Sequence, residues 1–377
     1  MNRCRLLWIT DPWDTLVHPL DTTLRLMEEA VSLGVETYWA DAGSIRWATD
    51  RTLVRAFRVA AVQAGRSPDA FGMLACGPLR PTHFRCVIYR PDPPVDLAYL
   101  HSLQMLGMDI EARRARDGHC ATEILNPPSV LAGSSEKLVA VLTDLMPPTM
   151  ASAQWEDLQA FGRLEGETIV KPMHLCQSQG VEFLQWHTAS AVERSRQALR
   201  SLTHEFRQPV VLQRFLSGVY EGETRLWFLD GRLLACARKK PAPGTFRIEM
   251  HKGGTLEPHE LTDLERQRVP VIGAHLERSG VWLAAVDLID GWVTDFNVTS
   301  PGLLVDTESV LQRNLARPVI EALIRPRPAN LTGAQPGEAA IVTRTGVPAC
   351  DLDELAIDQA SAARTGVPGK LALPSRS

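Results

Sequence analysis

One segment constrains this chain more than any other: Asp287-Leu288-Ile289-Asp290-Gly291-Trp292-Val293-Thr294-Asp295-Phe296-Asn297-Val298-Thr299-Ser300-Pro301. Two β-prone runs, Leu283–Asp290 and Val293–Val298, flank an Asp-Gly pair, the strongest short-range signal of an antiparallel hairpin. Such a hairpin brings Asp287 beside Asp295 and Asn297, and residues two apart, like Asp295 and Asn297, share a face of the sheet. Three oxygen donors on one face, two of them anionic, suit Mg²⁺, which prefers oxygen and also binds substrate phosphates. An exposed hairpin with its polar residues outward has the same pattern, so the segment alone leaves both readings open.

The preceding chain reads as alternating strand and helix. Arg5–Thr10 is a β-prone run ending at Asp11-Pro12, and Asp21-Thr22-Thr23 caps a helix whose apolar residues Leu24, Met27, Ala30 and Val31 keep helical spacing until Gly34. Glu36–Ala40 follows as a strand, which predicts a parallel crossover and an open α/β domain. Its ligands belong beyond the carboxyl ends of the strands, where Asp11 and Arg90 fall, the latter after a third strand, Cys86–Arg90. Further on, Ser134–Lys137 opens a helix, Thr168–Lys171 and Val181–Gln185 are strands around a loop, and Ala191–Leu202 is helical. Strands Val210–Arg214, Glu223–Leu229 and Arg232–Ala237 come next, the last two joined by Asp230-Gly231. Helices over Glu260–Ser279 and up to Arg325 complete the folded part. Residues 326–377 hold no aromatic residue and repeat Arg-Thr-Gly-Val-Pro at 344–348 and 364–368, a composition expected of a disordered tail.

Length and composition set limits. At about 150 residues per domain, 377 residues give roughly two and a half domains. Forty Lys and Arg against 44 Asp and Glu leave a net charge of −4, so nothing favours a nucleic-acid partner. Apolar runs break off well short of the roughly 18 residues of a membrane span. Met1–Arg5 leads straight into a β-prone run, so a cytoplasmic protein with no membrane partner is expected. Seven scattered cysteines without a Cys-x-x-Cys offer neither a disulfide framework nor a zinc site.

Several motifs occur together and in order. The Asp-x-Asn-Val-Thr-Ser-Pro run after the Asp-Gly hairpin resembles the metal-binding end of the ATP-grasp ligases, specifically the bacterial glutathione synthetases. Asp11-Pro12 with Asp21-Thr22-Thr23 looks like the start of that family. Tyr89-Arg90-Pro91-Asp92-Pro93-Pro94-Val95-Asp96, Asn126-Pro127-Pro128 with Glu136-Lys137-Leu138, and Ile169-Val170-Lys171-Pro172 are similar to its later segments. The resemblance spans about residues 1–325. It implies an ATP-grasp fold of mixed α/β and α+β class: an N-terminal open α/β substrate domain (1–122), a central lid subdomain (123–205) and a C-terminal subdomain with the metal site (206–325), the last two clasping ATP, before the tail (326–377).

The resemblance also implies roles. Lys137 and Lys171 are expected on the ATP phosphates, the Gln213-Arg214-Phe215-Leu216 hinge on adenine and Glu223 on the ribose. Arg225 and Arg238 would face the transferred phosphoryl group, with Arg247 in a lid loop, whereas Lys239 and Lys240 would be solvated neighbours. Mg²⁺ would be held by Asp287, Asp295 and Asn297. Substrate would meet Asp11, Thr22, Thr23, Arg90 and Asp92, with Arg90 for a carboxylate and Asp11 for an ammonium group.

Two loops depart from the family. The usual Asp-Gly-Met-Gly-Gly after Lys-Pro is here Met173–Gly180 with most glycines gone, which constrains a loop that should approach phosphate. In the second lid loop, Glu249 and Thr255 stand where an Asn and an Arg are usual, which points to an acceptor amine other than glycine. The expected protein is an ATP- and Mg²⁺-dependent carboxylate–amine ligase working through an acyl phosphate on a small or short-peptide acid, glutathione synthetase-like or serving specialised metabolism. A homo-oligomer is expected by analogy. The competing reading is a catalytically impaired nucleotide-binding ATP-grasp protein that acts through partners.

Overall fold

The structure, a computed structural model, describes residues 4–63 and 67–325; the expectation for the tail 326–377 lies outside the described residues. Burial explains the first sheet. Leu6, Leu7, Trp8 and Ile9 of β1 (Arg5–Thr10) are all fully buried, so β1 is covered on both faces, as a parallel central strand requires. Asp21 caps α1 (Thr22–Ser32) by accepting the Leu24 amide at 2.9 Å. There follow β2 (Glu36–Asp41), β3 (Arg46–Ala48), β4 (Arg51–Val62), β5 (Phe71–Leu79), β6 (Cys86–Tyr89), α2 (Leu97–Asp117) and β7 (Glu123–Leu125). The sheet order is β3-β4-β2-β1-β6-β7, with β5 paired to β4; β1 runs parallel to β2 and β6. The expected crossover is therefore present. The β4–β5 arm and α2 had no counterpart in the sequence reading, although β4 alternates buried and exposed residues over most of its length.

The middle of the chain contributes α3 (Pro128–Gly133), β8 (Thr149–Ser152), α4 (Trp155–Glu165), β9 (Glu167–Pro172), β10 (Glu182–Gln185), α5 (Ala189–Leu202) and β11 (Val210–Arg214). Its strands form an antiparallel sheet in the order β10-β9-β11-β8. The helix expected to open at Ser134–Lys137 is absent. Instead α3 ends at Gly133, the Ser134 hydroxyl donates to the Val130 carbonyl at 2.6 Å, and Ser135 bridges Leu138. Glu136 and Lys137 are drawn into tertiary contacts with the distant hairpin, which override the local capping signal.

A third sheet, order β14-β13-β12-β15-β16, is built from β12 (Glu223–Leu229), β13 (Arg232–Lys240), β14 (Thr255–Pro258), β15 (Leu283–Ile289) and β16 (Trp292–Asn297). The helix α6 (Asp263–Arg278) starts from a capping box made by Thr262 and Glu265. Both Asp-Gly turns are present: φ is +47° and +72° at Asp230-Gly231, and +51° and +77° at Asp290-Gly291, the left-handed pair of a type I′ hairpin. Each hairpin carries a β-bulge close to its turn. On β13 the register shifts between Trp227 and Phe228 of its partner, and on β16 between Asp287 and Leu288 of its partner. The helices α7 (Leu304–Leu311) and α8 (Ala316–Ile324) return to the N-terminal sheet, where Arg25 pairs with Glu29 and Glu308.

Candidate active site

The three sheets surround a cavity of about 1250 Å³. Its floor is one face of the third sheet, and the two bulges decide which residues lie there. A two-residue turn without a bulge would set Glu223 opposite Arg238; the extra residue on β13 sets it opposite Lys239 instead. The second bulge likewise sets Asp287 opposite Asp295 rather than Thr294. Glu223, Arg225, Lys239, Asp287, Asp295 and Asn297 thus all line the cavity.

These residues form a dense ionic network. The Arg225 guanidinium grips both oxygens of Asp287, at 2.9 and 2.7 Å, and donates to the Gly302 carbonyl. Asp287 Oδ2 also accepts from Lys239 at 3.0 Å and from the Asn297 amide at 3.1 Å. Burial opposes the Asp287 charge, but Arg225 and Lys239 outweigh it and hold the carboxyl well below the ordinary range. Lys239 pairs with Glu223 as well. Lys137 Nζ lies 2.8 Å from each oxygen of Asp295. Burial works against its ammonium, yet Asp295 and Glu136 raise its pKa above the ordinary lysine value. Glu136 in turn accepts the amides of Val298 and Thr299, tying the end of β16 to the segment that carries Lys137.

Opposite the floor, Lys171 on β9 donates to Gln213 Oε1 at 3.0 Å and to the Thr294 carbonyl at 2.8 Å. Burial, with repulsion from Lys137, pulls its pKa below the ordinary value despite Asp295. Both acceptors are neutral, so its charge faces the cavity without a paired carboxylate. Gln213–Leu216, at the end of β11, line the same end. The Arg214 and Phe215 amides are taken up by the carbonyls of Pro148 and Glu167, and the Arg214 side chain turns outward to Glu165. Ile169 and Ile289 form apolar walls there. Ile169, quoted above only as part of a motif, takes a place in the lining because it is two residues from Lys171 and so on the same face of β9.

At the other end the cavity reaches the first domain. Arg90 is buried, donating to Thr23 Oγ1 and to the Pro301 carbonyl, each at 2.9 Å, both neutral oxygens. Thr22 accepts the Leu304 amide, Asp11 accepts the Asp92 amide at 2.7 Å, and Asp92 accepts from Ser300 at 2.6 Å. Burial raises the Asp11 pKa, with Asp41 and Asp21 adding repulsion. In the loop between β13 and β14 Glu249 lines the cavity with its carboxylate on Lys252 at 2.8 Å, while Arg247 donates to the Val181 carbonyl at 3.0 and 2.7 Å and lies over Phe246.

Three expectations are corrected. Arg238 does not line the cavity; the bulge turns it to the opposite face, against Thr224 and His259. Lys239 is not a solvated neighbour but a buried member of the floor, 7% exposed. Thr255 opens β14 opposite Lys240, exposed and outside the cavity lining. Among the described residues no cluster of three His, Cys, Asp or Glu side chains could hold a metal. Two carboxylates and an amide oxygen remain, and this all-oxygen donor set fits Mg²⁺, which completes its shell with water and phosphate.

A nucleotide-sized cleft between two antiparallel sheets, with Lys171 facing an ion-paired carboxylate network and the whole joined to an open α/β sheet, is the arrangement of an ATP-grasp ligase. Solved structures share the fold: D-cycloserine synthetase DcsG, with a TM-score of 0.56 and 19% identity over 85% of this chain and 99% of that one, and D-alanyl-alanine synthetase A from Vibrio cholerae, 0.53 and 12% over 86% and 100%. Residues 4–128 match the family model of the prokaryotic glutathione synthetase N-terminal domain, and residues 136–312 that of its ATP-grasp domain. Glutathione synthetases from Prochlorococcus marinus strain MIT 9313 and Parasynechococcus marenigrum are each 31% identical, over 85% of this chain and 98% of theirs. The chain belongs to the prokaryotic glutathione synthetase family and is an ATP-dependent carbon–nitrogen ligase. Among the described residues no helix is long and apolar enough to cross a membrane.

Proposed function

We propose that the protein activates a substrate carboxylate with ATP as an acyl phosphate, which an amine then captures to give an amide, ADP and phosphate. The observation that carries this reading is the facing arrangement of Lys171 and the Asp287 network across one cavity that continues to the buried Arg90. Phosphoryl transfer to a carboxylate brings two anions together, so positioning and charge neutralisation do most of the work. Lys137 and Lys171 would hold the nucleotide phosphates, Arg225 the transferring group and Arg90 the substrate carboxylate. The Leu216 amide and neighbouring hinge backbone would meet the adenine edge, and Glu223 the ribose. Asp287, Asp295 and Asn297 would hold Mg²⁺, which when bound neutralises phosphate charge. The division at 122/123 and 205/206 is retained as a proposal, supported by the three separate sheets, as is a homo-oligomeric cytoplasmic enzyme on family grounds.

For the substrates, the relatives named glutathione synthetase support γ-glutamylcysteine and glycine as the first pair to test. Glu249 on the cavity wall supports an acceptor without a free carboxylate over glycine; Thr255, outside the lining, adds nothing to that case. Competing amines are offered with γ-glutamylcysteine and ATP, and amide products are read by mass spectrometry alongside ADP release. An amine lacking a carboxylate is expected to outcompete glycine, and Glu249→Asn to shift the ratio back. Efficient saturable use of glycine by the unaltered protein would make it an ordinary glutathione synthetase, and no ADP release with any pair would defeat the ligase mechanism.

A further inference from the structure

The metal assignment above concerns Asp287, Asp295 and Asn297; the inference here rests on it and concerns Lys239, which that set does not include. The β13 bulge carries Lys239 to the floor, opposite Glu223. Its ammonium pairs with the half-buried Glu223 and, at 3.0 Å, with Oδ2 of the buried Asp287. Arg225 occupies both oxygens of Asp287, and Lys137 both oxygens of Asp295. Every carboxylate oxygen that a metal would use therefore already has a cationic donor.

The charges balance without any metal. Glu136, Glu223, Asp287 and Asp295 supply four negative charges; Lys137, Lys171, Lys239 and Arg225 supply four positive ones. A bare divalent cation entering this buried cluster would have to push an ammonium off Asp287 and leave two uncompensated positive charges where water screens them poorly. A triphosphate entering with the cation reverses that balance. It carries more negative charge than one divalent ion neutralises, and its oxygens give the displaced ammonium new acceptors. Arg225 is held by its fork and by the Gly302 carbonyl, whereas Lys239 is a point charge on a flexible stem and is the group free to move.

We propose that Lys239 is a positioning residue that stands in for a cation between Glu223 and Asp287 and so restricts the site to metal arriving with nucleotide. Mn²⁺ titration of the full chain tests this, with water proton relaxation reporting protein-bound Mn²⁺, in the presence and absence of a non-hydrolysable ATP analogue. The unaltered chain is expected to bind Mn²⁺ saturably only with the analogue. Lys239→Met, which keeps the unbranched stem and removes the charge, is expected to bind Mn²⁺ without the analogue, roughly tenfold or more tighter than the unaltered chain. Its melting temperature should rise with added Mn²⁺ alone, where that of the unaltered chain does not. Lys240→Met, whose ammonium pairs with the partly exposed Glu257 at 2.9 Å, should behave as the unaltered chain. Analogue-independent Mn²⁺ binding by the unaltered chain, or a folded Lys239→Met chain that still needs the analogue, overturns the role of Lys239 and leaves the metal reading intact. Absence of Mn²⁺ binding in all chains even with the analogue overturns both. Should Lys239→Met not fold, Lys239→Gln carries the same comparison, and the unaltered chain alone can still overturn the proposal.

Discussion

At the scale of single residues, Asp287 holds the floor together. It is 2% exposed and accepts from Arg225, Lys239 and Asn297, so three elements hold it and two of them compensate its charge. Asp287→Asn should abolish ATP consumption while leaving the fold in place, measured as ADP release beside circular dichroism. The same substitution has a pH signature. A carboxyl held below its unfolded value of about 3.9 contributes stability that is complete above that pH and is lost as the pH falls toward the folded value. The stability difference between the unaltered chain and Asp287→Asn, from denaturant midpoints, should shrink as pH is lowered from about 5 to about 2. For Lys171 the expectation is selective: Lys171→Ala should weaken ATP binding by at least about tenfold, because a phosphate loses a charge-assisted donor. Lys240→Ala, outside the cavity lining, should change it less than about twofold. Equal effects in calorimetric titration would mean that Lys171 does not meet the phosphates.

At the scale of elements, the two Asp-Gly hairpins supply the site, and each works through its turn and its bulge. Gly291 has φ of +77°, and a Cβ there would come within 2.4 Å of Leu264 on α6. Gly291→Ala therefore imposes left-handed backbone strain, while the exposed Leu264 side chain can turn aside, and should lower stability by about 1 kcal/mol. Because β16 carries Asp295 and Asn297, nucleotide binding should weaken in parallel; a melting curve and an ATP titration on the same sample check both. The glycine-poor loop after Pro172 behaves differently. Gln177 and Ser178 adopt φ of +54° and +59°, so the chain takes left-handed turns there without the residue that favours them.

At the scale of the molecule, the Asn126 side chain joins the end of the N-terminal sheet to the third sheet through four hydrogen bonds. Asn126 is buried beyond β7, donates to the carbonyls of Leu283 and Val298 at 2.9 and 2.6 Å, and accepts the amides of Trp282 and Leu283 at 2.7 and 3.2 Å. Asn126→Ala would orphan several buried backbone groups together and should cost roughly 3 kcal/mol or more. The loss should also raise the KM for the acid substrate, since Arg90 donates to the Pro301 carbonyl in the segment after β16 that Asn126 holds at Val298. An unchanged unfolding midpoint would show that the two parts are held together by other contacts.

Local chemistry in the chain determined the type I′ turns, the capped start of α1, the parallel β1–β2 crossover and the order of the ATP-grasp motifs, because each depends on a few neighbouring residues. It also determined that Asp295 and Asn297 share a face, since alternation within a strand needs no partner. The neighbourhood of Asp287 with Asp295 and Asn297 also followed from the Asp-Gly hairpin, and the observed register keeps it. Only the tertiary structure decided the register of the other hairpin: a bulge of one residue leaves no mark in composition or periodicity, yet it exchanged Arg238 for Lys239 on the floor. The segment Ser134–Lys137 carries a helix-starting pattern, but its Glu and Lys gain more from Thr299 and Asp295, more than 150 residues away in the chain, than from a local turn. The sequence sets what each strand can do alone; the register between strands, which packing and long-range ion pairs fix together, sets which charges meet.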